Sequence, residues 1–193
     1  MLNVLLAGVG GQGTVLAAKI LAQAAEEKGW QVRTAETIGM AQRGGNVVSH
    51  VRMGNKGEAV YAPLLAHGSA DLIIAFEPAE AARVLPYLKP EGTLVTATTA
   101  IQPVSAALSK EPYRAVDVIE HLSELVAHCV TVDDAALVEH SGSRKTLNIM
   151  LLASALAASD IGISIDDLKR AIPSCVKERF VAMNLEAVDI AIN

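Results

Sequence analysis

The amino-terminal segment constrains the fold more than any other part of the sequence. Residues Leu2–Ala7 form an uninterrupted apolar run, which is typical of a strand buried on both faces of a parallel sheet. Residues Gly8–Gly13 follow with the pattern G-x-G-x-x-G, and apolar residues at helical spacing predict a helix at Thr14–Lys28. A strand, a glycine turn and a helix in this order predict an α/β domain whose first helix packs closely on its first strand.

The rest of the chain alternates between predicted strands and helices. Gln31–Ala35 is predicted to be a second strand that completes a βαβ unit with a right-handed crossover. Val47–Met53 and Glu58–Tyr61 flank Gly54-Asn55-Lys56-Gly57, a turn sequence that predicts an antiparallel hairpin. Further strands are predicted at Asp71–Phe76, Thr93–Ala97 and Cys129–Val132, and further helices after Pro78 and at Val118–Ala127, Lys145–Ser159, Ile165–Ala171 and Val176–Ala191.

These segments define the fold class that we predict, which is α/β. We expect a three-layer Rossmann-like sandwich, with a mostly parallel sheet, an inserted antiparallel hairpin and a helical C-terminal segment. The length of 193 residues is that of a single domain, so residues 1–193 are predicted to form one domain.

Composition and charge exclude several classes of function. The net charge is −5 and the sequence has no run of basic residues, which argues against a nucleic-acid partner. Cys129 and Cys175 are far apart in sequence, so cysteines of this chain do not predict an iron–sulfur cluster or a structural zinc site. The first apolar run ends after about eight residues, too short for a secretory signal or a membrane span, and we expect a cytoplasmic protein without membrane contact. No metal site is predicted from the scattered histidines, which are His50, His67, His121, His128 and His140.

The glycine loop allows two interpretations. It matches the loop that places a dinucleotide pyrophosphate at a helix N-terminus, and Glu36 lies about twenty residues beyond it, where a ribose-binding acid is expected. Alternatively, the glycines only turn the chain and pack the first helix against the strand. The amide of Gln12 is unusual for both, because it can hydrogen-bond to a ligand or across an interface.

A second loop, Glu36–Gly45, leads into the predicted strand at Val47. The pair Gly44-Gly45 after Gln42-Arg43 lets the backbone present the guanidinium of Arg43 outward, which suits recognition of a carboxylate, a phosphate or a partner. The alternative is the entry to a hairpin with a surface ion pair.

Other polar residues receive structural interpretations. His50 is expected at a surface or an interface, Asp117 and His121 are expected to form a local hydrogen bond on one helix face, and both cysteines are expected to be inert, Cys129 in a strand and Cys175 in a loop. Ser141-Gly142-Ser143 is interpreted as the N-cap region of a helix, and Arg144 and Lys145, which can attract an anion there, as a solvated surface.

Together the two loops resemble a known family. The segments G-x-G-G-Q-G and E-T-x-G-M-A-Q-R-G-G-x-V-V-S-H-V-R are similar to those of the gamma-type subunit of 2-oxoacid:ferredoxin oxidoreductases, and within it to the small (beta) subunits of the indolepyruvate group. Ala75–Ala81, Leu88–Thr93 and the predicted helix that contains Asn148 match as well, so the resemblance covers nearly the whole chain.

The resemblance implies a subunit of an enzyme that decarboxylates a 2-oxoacid oxidatively with coenzyme A, giving an acyl-CoA, carbon dioxide and reduced ferredoxin. It implies that this chain binds none of the redox cofactors. Thiamine diphosphate, magnesium and 4Fe–4S clusters are expected in a larger alpha subunit, which is the partner and passes electrons to ferredoxin, so the isolated chain is expected to be inactive. No catalytic residue is assigned. The candidate cofactor-binding or interface residues are Gly8, Gly10, Gly11, Gln12, Gly13, Glu36, Gln42, Arg43, Gly44, Gly45 and Asn148.

Two other classes of function stay open at this point. One is a self-contained nicotinamide-dependent Rossmann-type oxidoreductase that uses the first-loop glycines and Glu36. The other is a non-catalytic interaction module, including a homodimer of the isolated chain.

Overall fold

The fold is built on one mixed β-sheet. The computed structural model describes residues 1–39, 45–102 and 113–193, and these contain six strands in the spatial order β2-β3-β1-β4-β5-β6. The strands are β1 (Leu2–Val9), β2 (Gln31–Ile38), β3 (Asn46–Gly54), β4 (Ala70–Ala75), β5 (Leu88–Ala97) and β6 (His128–Val132). The helices are α1 (Thr14–Glu27), α2 (Pro78–Val84), α3 (Ala115–Leu125), α4 (Asp134–Ser141), α5 (Leu147–Ala157), α6 (Ile165–Cys175) and α7 (Val181–Ile192). Short 3₁₀ turns lie at Leu85–Tyr87, Arg144–Thr146 and Glu178–Phe180.

Strand β1 lies inside the sheet and is buried along its whole length. It pairs antiparallel with β3 on one edge and parallel with β4 on the other. Strands β4, β5 and β6 continue in parallel. Among the described strands, only β3 runs against the others. The predicted α/β class with a mostly parallel sheet and an antiparallel insertion is therefore confirmed.

The position of the hairpin differs from the sequence prediction. We predicted that Val47–Met53 would pair with Glu58–Tyr61, whereas the antiparallel partner of β3 is β2, with Glu36 opposite Ser49. Both edges of β3 are already occupied by β1 and β2, so the chain after the Gly54–Gly57 turn has no edge left to join. Instead the backbone N–H of Val60 donates to the side chain of Gln31 at 2.7 Å. For the same reason β1 and β2 do not form a βαβ unit of neighbouring strands.

Helices cover both faces of the sheet, which makes three layers. Alternate residues of β1 face opposite sides, as the period of a strand requires. On one side Val4 and Leu6 pack in a core with α1, α5, α6 and α7, and on the other side Leu5 and Ala7 pack with α2 and α3. The continuous apolar run that predicted a doubly covered strand is explained by these two cores.

The C-terminal helices differ from their predicted bounds. Helix α6 extends to Cys175 with Pro173 inside it, so Cys175 is the last helical residue and not a loop residue. The predicted helix at Val176–Ala191 begins at Val181, because residues 176–180 form an extended step and the short 3₁₀ turn.

Asp167 joins two helices on the α1 side of the sheet. It belongs to a capping box at the start of α6, in which Ser164 accepts from the N–H of Asp167 and a carboxylate oxygen of Asp167 accepts from the N–H of Ser164. The same oxygen is 3.0 Å from Nζ of Lys28, just after α1, and the other oxygen pairs with Arg170. Burial alone would raise the pKa of Asp167, but the hydrogen bonds from Ser164 and Lys28 outweigh it and lower the pKa to about 2.

We predict that Asp167→Asn lowers the free energy of unfolding at pH 7 by about 1–3 kcal/mol, because it removes one acceptor from a buried, charged cluster. Since the pKa of the folded state lies below the unfolded value of about 3.9, this stabilisation is complete above that pH and is lost as the pH falls towards 2. The difference between parent and variant should therefore shrink over that range in urea melts. Asp166→Asn, an exposed neighbour in the same helical turn, is the control. Equal losses in the two variants would contradict the assignment.

Candidate functional site

The carboxyl ends of the parallel strands meet at one edge of the sheet and open into a cavity. Each of β1, β4, β5 and β6 is followed there by residues that line a space of about 480 Å³. The lining residues are Gly10, Gly11, Gln12, Gly13, Leu16, Phe76, Thr99, Ile101, Asp134, Arg144, Lys145, Leu147 and Asn148. We call this space the glycine-loop cavity.

The cavity lies at a topological switch point. Helix α1, which follows β1, packs on one face of the sheet, whereas α2, which follows the neighbouring strand β4, packs on the other. The two connections diverge and leave a crevice beyond the strand ends, which is where ligands bind in open α/β sheets. The position of the cavity therefore follows from the strand order.

Three glycines shape the loop, each for a different physical reason. Gly11 has φ +99° and Gly13 has φ +80°, backbone conformations that side chains with a Cβ rarely adopt. Gly8 lies in the buried strand, where a Cβ would come within 3.0 Å of the side chains of Gln12, Thr14 and Phe76. Gly13 also lies against Asn148, whose amide nitrogen would be 2.7 Å from an added Cβ. The predicted tight turn with close packing is confirmed at these three positions.

Gln12 bridges the ends of two strands. Its Oε1 accepts from the backbone N–H of Val9 at 2.7 Å, and its Nε2 donates to the carbonyl of Phe76 at 2.6 Å. The sequence suggested that this amide was available to a ligand or an interface, whereas in the structure both ends of it bind the protein's own backbone. Gln12 therefore links the end of β1 to the residue that follows β4, and it lines the cavity.

Asn148 connects the C-terminal helices to the glycine loop. It is buried near the start of α5, and its Nδ2 donates to the carbonyl of Gly13 at 3.2 Å. That carbonyl also accepts the first hydrogen bond of α1, from Ala17. The structure thus brings together Asn148 and Gly13, two candidates that are 135 residues apart in the sequence.

Two buried carboxylates hold the segment after β5. Oδ1 of Asp134 accepts from the N–H groups of Thr98 and Thr99 at 3.0 and 2.9 Å. Glu77, which caps α2, accepts from the N–H of Ile101 at 3.2 Å. Burial raises the pKa of Glu77. The sequence analysis did not identify either acid as a site residue. The sequence signal for both acids was their position two residues beyond the end of a strand.

Positive charge is concentrated at the mouth of the cavity. Ser143 caps the short 3₁₀ turn that carries Arg144 and Lys145, as predicted, and both cations are exposed. Neither forms an ion pair with any residue that the structure describes. Helix α1 begins directly after Gly13, which also lines the cavity, and brings the partial positive charge of its N-terminus there. The sequence favoured a solvated surface for these cations, and the structure shows that this exposed surface borders a cavity.

The second loop is described only in part. Gly45 lies beside the first loop, where its carbonyl accepts from the N–H of Gly10 at 2.8 Å. The candidates Gln42, Arg43 and Gly44 lie outside the described residues.

Glu36 lies on β2. Among the described residues, it lines a separate groove beside α1 and not the glycine-loop cavity. Because β3 lies between β1 and β2, Glu36 is two strand spacings, about 10 Å, from β1.

Two interpretations of polar residues are corrected. His50 is not at a surface, because it is 3% exposed on β3 and its Nδ1 accepts from the N–H of Leu65 at 3.2 Å. Asp117 and His121 do not pair with each other. Asp117 lies 3.7 Å from Arg114, and His121 lies 3.8 Å from Glu124, in each case one helical turn away in the other direction.

Metal binding and membrane insertion can be assessed for the described part of the chain. Within residues 1–39, 45–102 and 113–193, no three His, Cys, Asp or Glu side chains lie close enough together to hold a metal ion. Cys129 and Cys175 pack against the cores on opposite faces of the sheet. Two cysteines on opposite faces of the sheet do not fit an iron–sulfur cluster. No helix in the same ranges is long and apolar enough to cross a membrane.

Comparison with known proteins gives full-length matches. Residues 3–193 match the family described as "Pyruvate ferredoxin/flavodoxin oxidoreductase". The "Indolepyruvate oxidoreductase subunit IorB" of Archaeoglobus fulgidus is 35% identical over 193 residues, which are 100% of this chain and 94% of that protein.

Solved structures show the same fold. The gamma subunit of the keto/oxoacid ferredoxin oxidoreductase of Geobacter sulfurreducens superposes with a TM-score of 0.70 at 22% identity, over 100% of this chain and 96% of that one. The 2-oxoglutarate:ferredoxin oxidoreductase of Magnetococcus marinus, solved with 2-oxoglutarate, coenzyme A and succinyl-CoA bound, superposes with a TM-score of 0.72 at 21% identity. That match covers 98% of this chain and 30% of the other.

We predict that Gln12→Ala lowers the free energy of unfolding by about 1–3 kcal/mol, because it leaves the N–H of Val9 and the carbonyl of Phe76 without their partner. Thermal or urea unfolding of the purified chain measures this. Gln23→Ala, which removes an amide from the surface of α1, is the matched control and should change stability by about 0.5 kcal/mol or less. Equal stability of Gln12→Ala and the parent would show that the bridge contributes nothing to folding.

Proposed function

We propose that this chain, which belongs to the pyruvate ferredoxin/flavodoxin oxidoreductase family, is the small subunit of an indolepyruvate:ferredoxin oxidoreductase. The observation that carries the proposal is similarity along the whole length to proteins named as that subunit, at 31–35% identity in four organisms. We treat residues 1–193 as one gamma-type domain of such a complex, because the family match spans residues 3–193.

The complex would convert a 2-oxoacid and coenzyme A to an acyl-CoA and carbon dioxide, with reduction of ferredoxin. We assign thiamine diphosphate, magnesium and the 4Fe–4S clusters to a larger alpha subunit. The two cysteines of this chain lie on opposite faces of the sheet and do not fit a cluster. We place the complex in the cytoplasm. The two free cysteines of this chain are compatible with a reducing compartment.

Within the complex, we assign the phosphate-bearing part of coenzyme A to the glycine-loop cavity. Three features support this assignment: the switch-point position, the N-terminus of α1, and the cations Arg144 and Lys145 at the mouth. Together they favour an anion, and the volume suits part of a cofactor-sized ligand. Coenzyme A supplies the thiol that takes up the acyl group. This chain would bind and orient the nucleotide end, and Gln12, Glu77 and Asp134 would keep the walls of the cavity fixed.

The nicotinamide alternative receives less support from the geometry. In the dinucleotide-binding fold the acid that binds the ribose follows the strand next to β1, whereas here the neighbour of β1 on that side is β3. Glu36 lies one strand further out and lines a different groove.

The function is tested by reconstitution. We expect no reduction of methyl viologen when the isolated chain is mixed with indolepyruvate and coenzyme A. Activity should appear when the chain is coexpressed with the larger, iron–sulfur-containing subunit from the same source. Full activity of the larger subunit alone, or activity of this chain alone, would contradict the proposed division of roles.

The site is tested by Arg144→Met in the reconstituted complex. Removal of one cation should raise the KM for coenzyme A by about three- to ten-fold and leave kcat nearly unchanged, because the residue binds the cosubstrate away from the reacting atoms. Lys56→Met serves as the matched control. It removes a cation from the turn after β3, which lies at the amino end of β1, opposite the glycine-loop cavity. If the KM for coenzyme A is unchanged in both Arg144→Met and Lys145→Met, these cations do not bind coenzyme A. The assignment of the chain as the small subunit would still stand.

A further inference from the structure

A second cavity, also of about 480 Å³, lies on the α2 side of the sheet and takes no part in the proposed function. Its floor is formed by β3 at Val48 and His50, and its walls by the segment around Leu65 and by the end of α2 with the 3₁₀ turn at Leu85–Tyr87. We call it the His50 cavity. It is separate from the glycine-loop cavity, and no described residue lines both cavities.

The polar group on the floor is a hydrogen-bond donor. Nδ1 of His50 accepts from the N–H of Leu65, so in the neutral ring the proton is on Nε2. Burial lowers the pKa of His50, which keeps the ring neutral. No described residue accepts a hydrogen bond from Nε2. A side chain that is 97% buried and lines a cavity thus retains a donor for which a ligand can supply the acceptor.

One wall carries a cation. Arg83 uses its Nε to reach both carboxylate oxygens of Glu80 at 3.2 Å, and no described residue accepts from its two terminal amino groups. A guanidinium held through Nε presents the remaining donors as a planar pair, the geometry that matches a carboxylate.

Aromatic and aliphatic side chains form much of the remaining wall, beside the polar Thr37 and Asn46. Tyr87 is flanked edge-on by His50 at 5.9 Å and by His67 at 4.5 Å between ring centroids. Leu65 and Val84 add buried aliphatic surface. Such walls suit a flat or branched apolar body attached to the anionic group.

We propose that the His50 cavity is a second ligand site, which binds a small carboxylate with an aromatic or branched apolar body. Arg83 and Nε2–H of His50 would receive the carboxylate, and Tyr87 with the aliphatic walls would hold the body. The site does not depend on the subunit assignment, because every residue that forms it belongs to this chain.

The test uses the full chain and two probes of equal shape, 3-phenylpropanoate and its uncharged amide. Isothermal titration calorimetry should show saturable binding of the carboxylate, with a Kd at least about three-fold lower than that of the amide. In the ¹⁵N-labelled chain, the ring signals of His50 should report the Nε2–H tautomer and should shift on titration. Absence of saturable binding, or a His50 ring whose signals do not respond, would overturn the proposal.

Variants locate the anion. Arg83→Met should weaken binding of the carboxylate at least about three-fold, and Arg83→Lys should restore part of it because a cation is retained. Arg144→Met, which removes a cation from the glycine-loop cavity, is the matched control and should leave the Kd unchanged. If Arg144→Met weakens binding instead, the carboxylate occupies the other cavity and the proposal is wrong. Failure of this proposal would leave the coenzyme A assignment untouched, since the two experiments use different residues.

Discussion

The structure depends on the complete burial of β1. Its two faces lie in separate cores and its two edges are paired, antiparallel with β3 and parallel with β4. After β1 the chain turns sharply, so that α1 can pack directly against the sheet. Glycines form this turn because Gly11 and Gly13 have positive φ angles. The candidate site follows from this constraint, since the connections after β1 and β4 diverge to opposite faces and open the glycine-loop cavity.

Hydrogen bonds rather than long loops keep that cavity open. Gln12 joins the ends of β1 and β4, Asp134 and Glu77 hold the segment after β5, and Asn148 joins α5 to the glycine turn. Each uses a side chain to satisfy backbone groups that end a strand or begin a helix. The cavity walls are therefore fixed before any ligand arrives, and this lowers the entropic cost of binding.

Local patterns predicted the elements but not their neighbours. The run at Leu2–Ala7, the glycine turn and most helices were predicted correctly, because each depends on residues adjacent in sequence. The hairpin was misplaced because Gly54–Gly57 forms a real turn, with Gly57 at φ +81°, but pairing depends on which strand edges are free. The roles of His50, Gln12 and Asp134 depend on partners from other elements, such as Leu65, Phe76 and Thr99. Sequence spacing does not reveal such contacts.

The insertion of β3 affects both the glycine-loop cavity and the His50 cavity. By separating β2 from β1, it moves Glu36 on β2 away from the glycine turn, while Asp134, Arg144 and Lys145 line the first cavity. It also brings His50 onto the face of the sheet beyond the end of α2, where a seven-residue helix is too short to cover the added strands. One antiparallel strand thus keeps Glu36 away from the glycine-loop cavity and contributes Val48 and His50 to the His50 cavity.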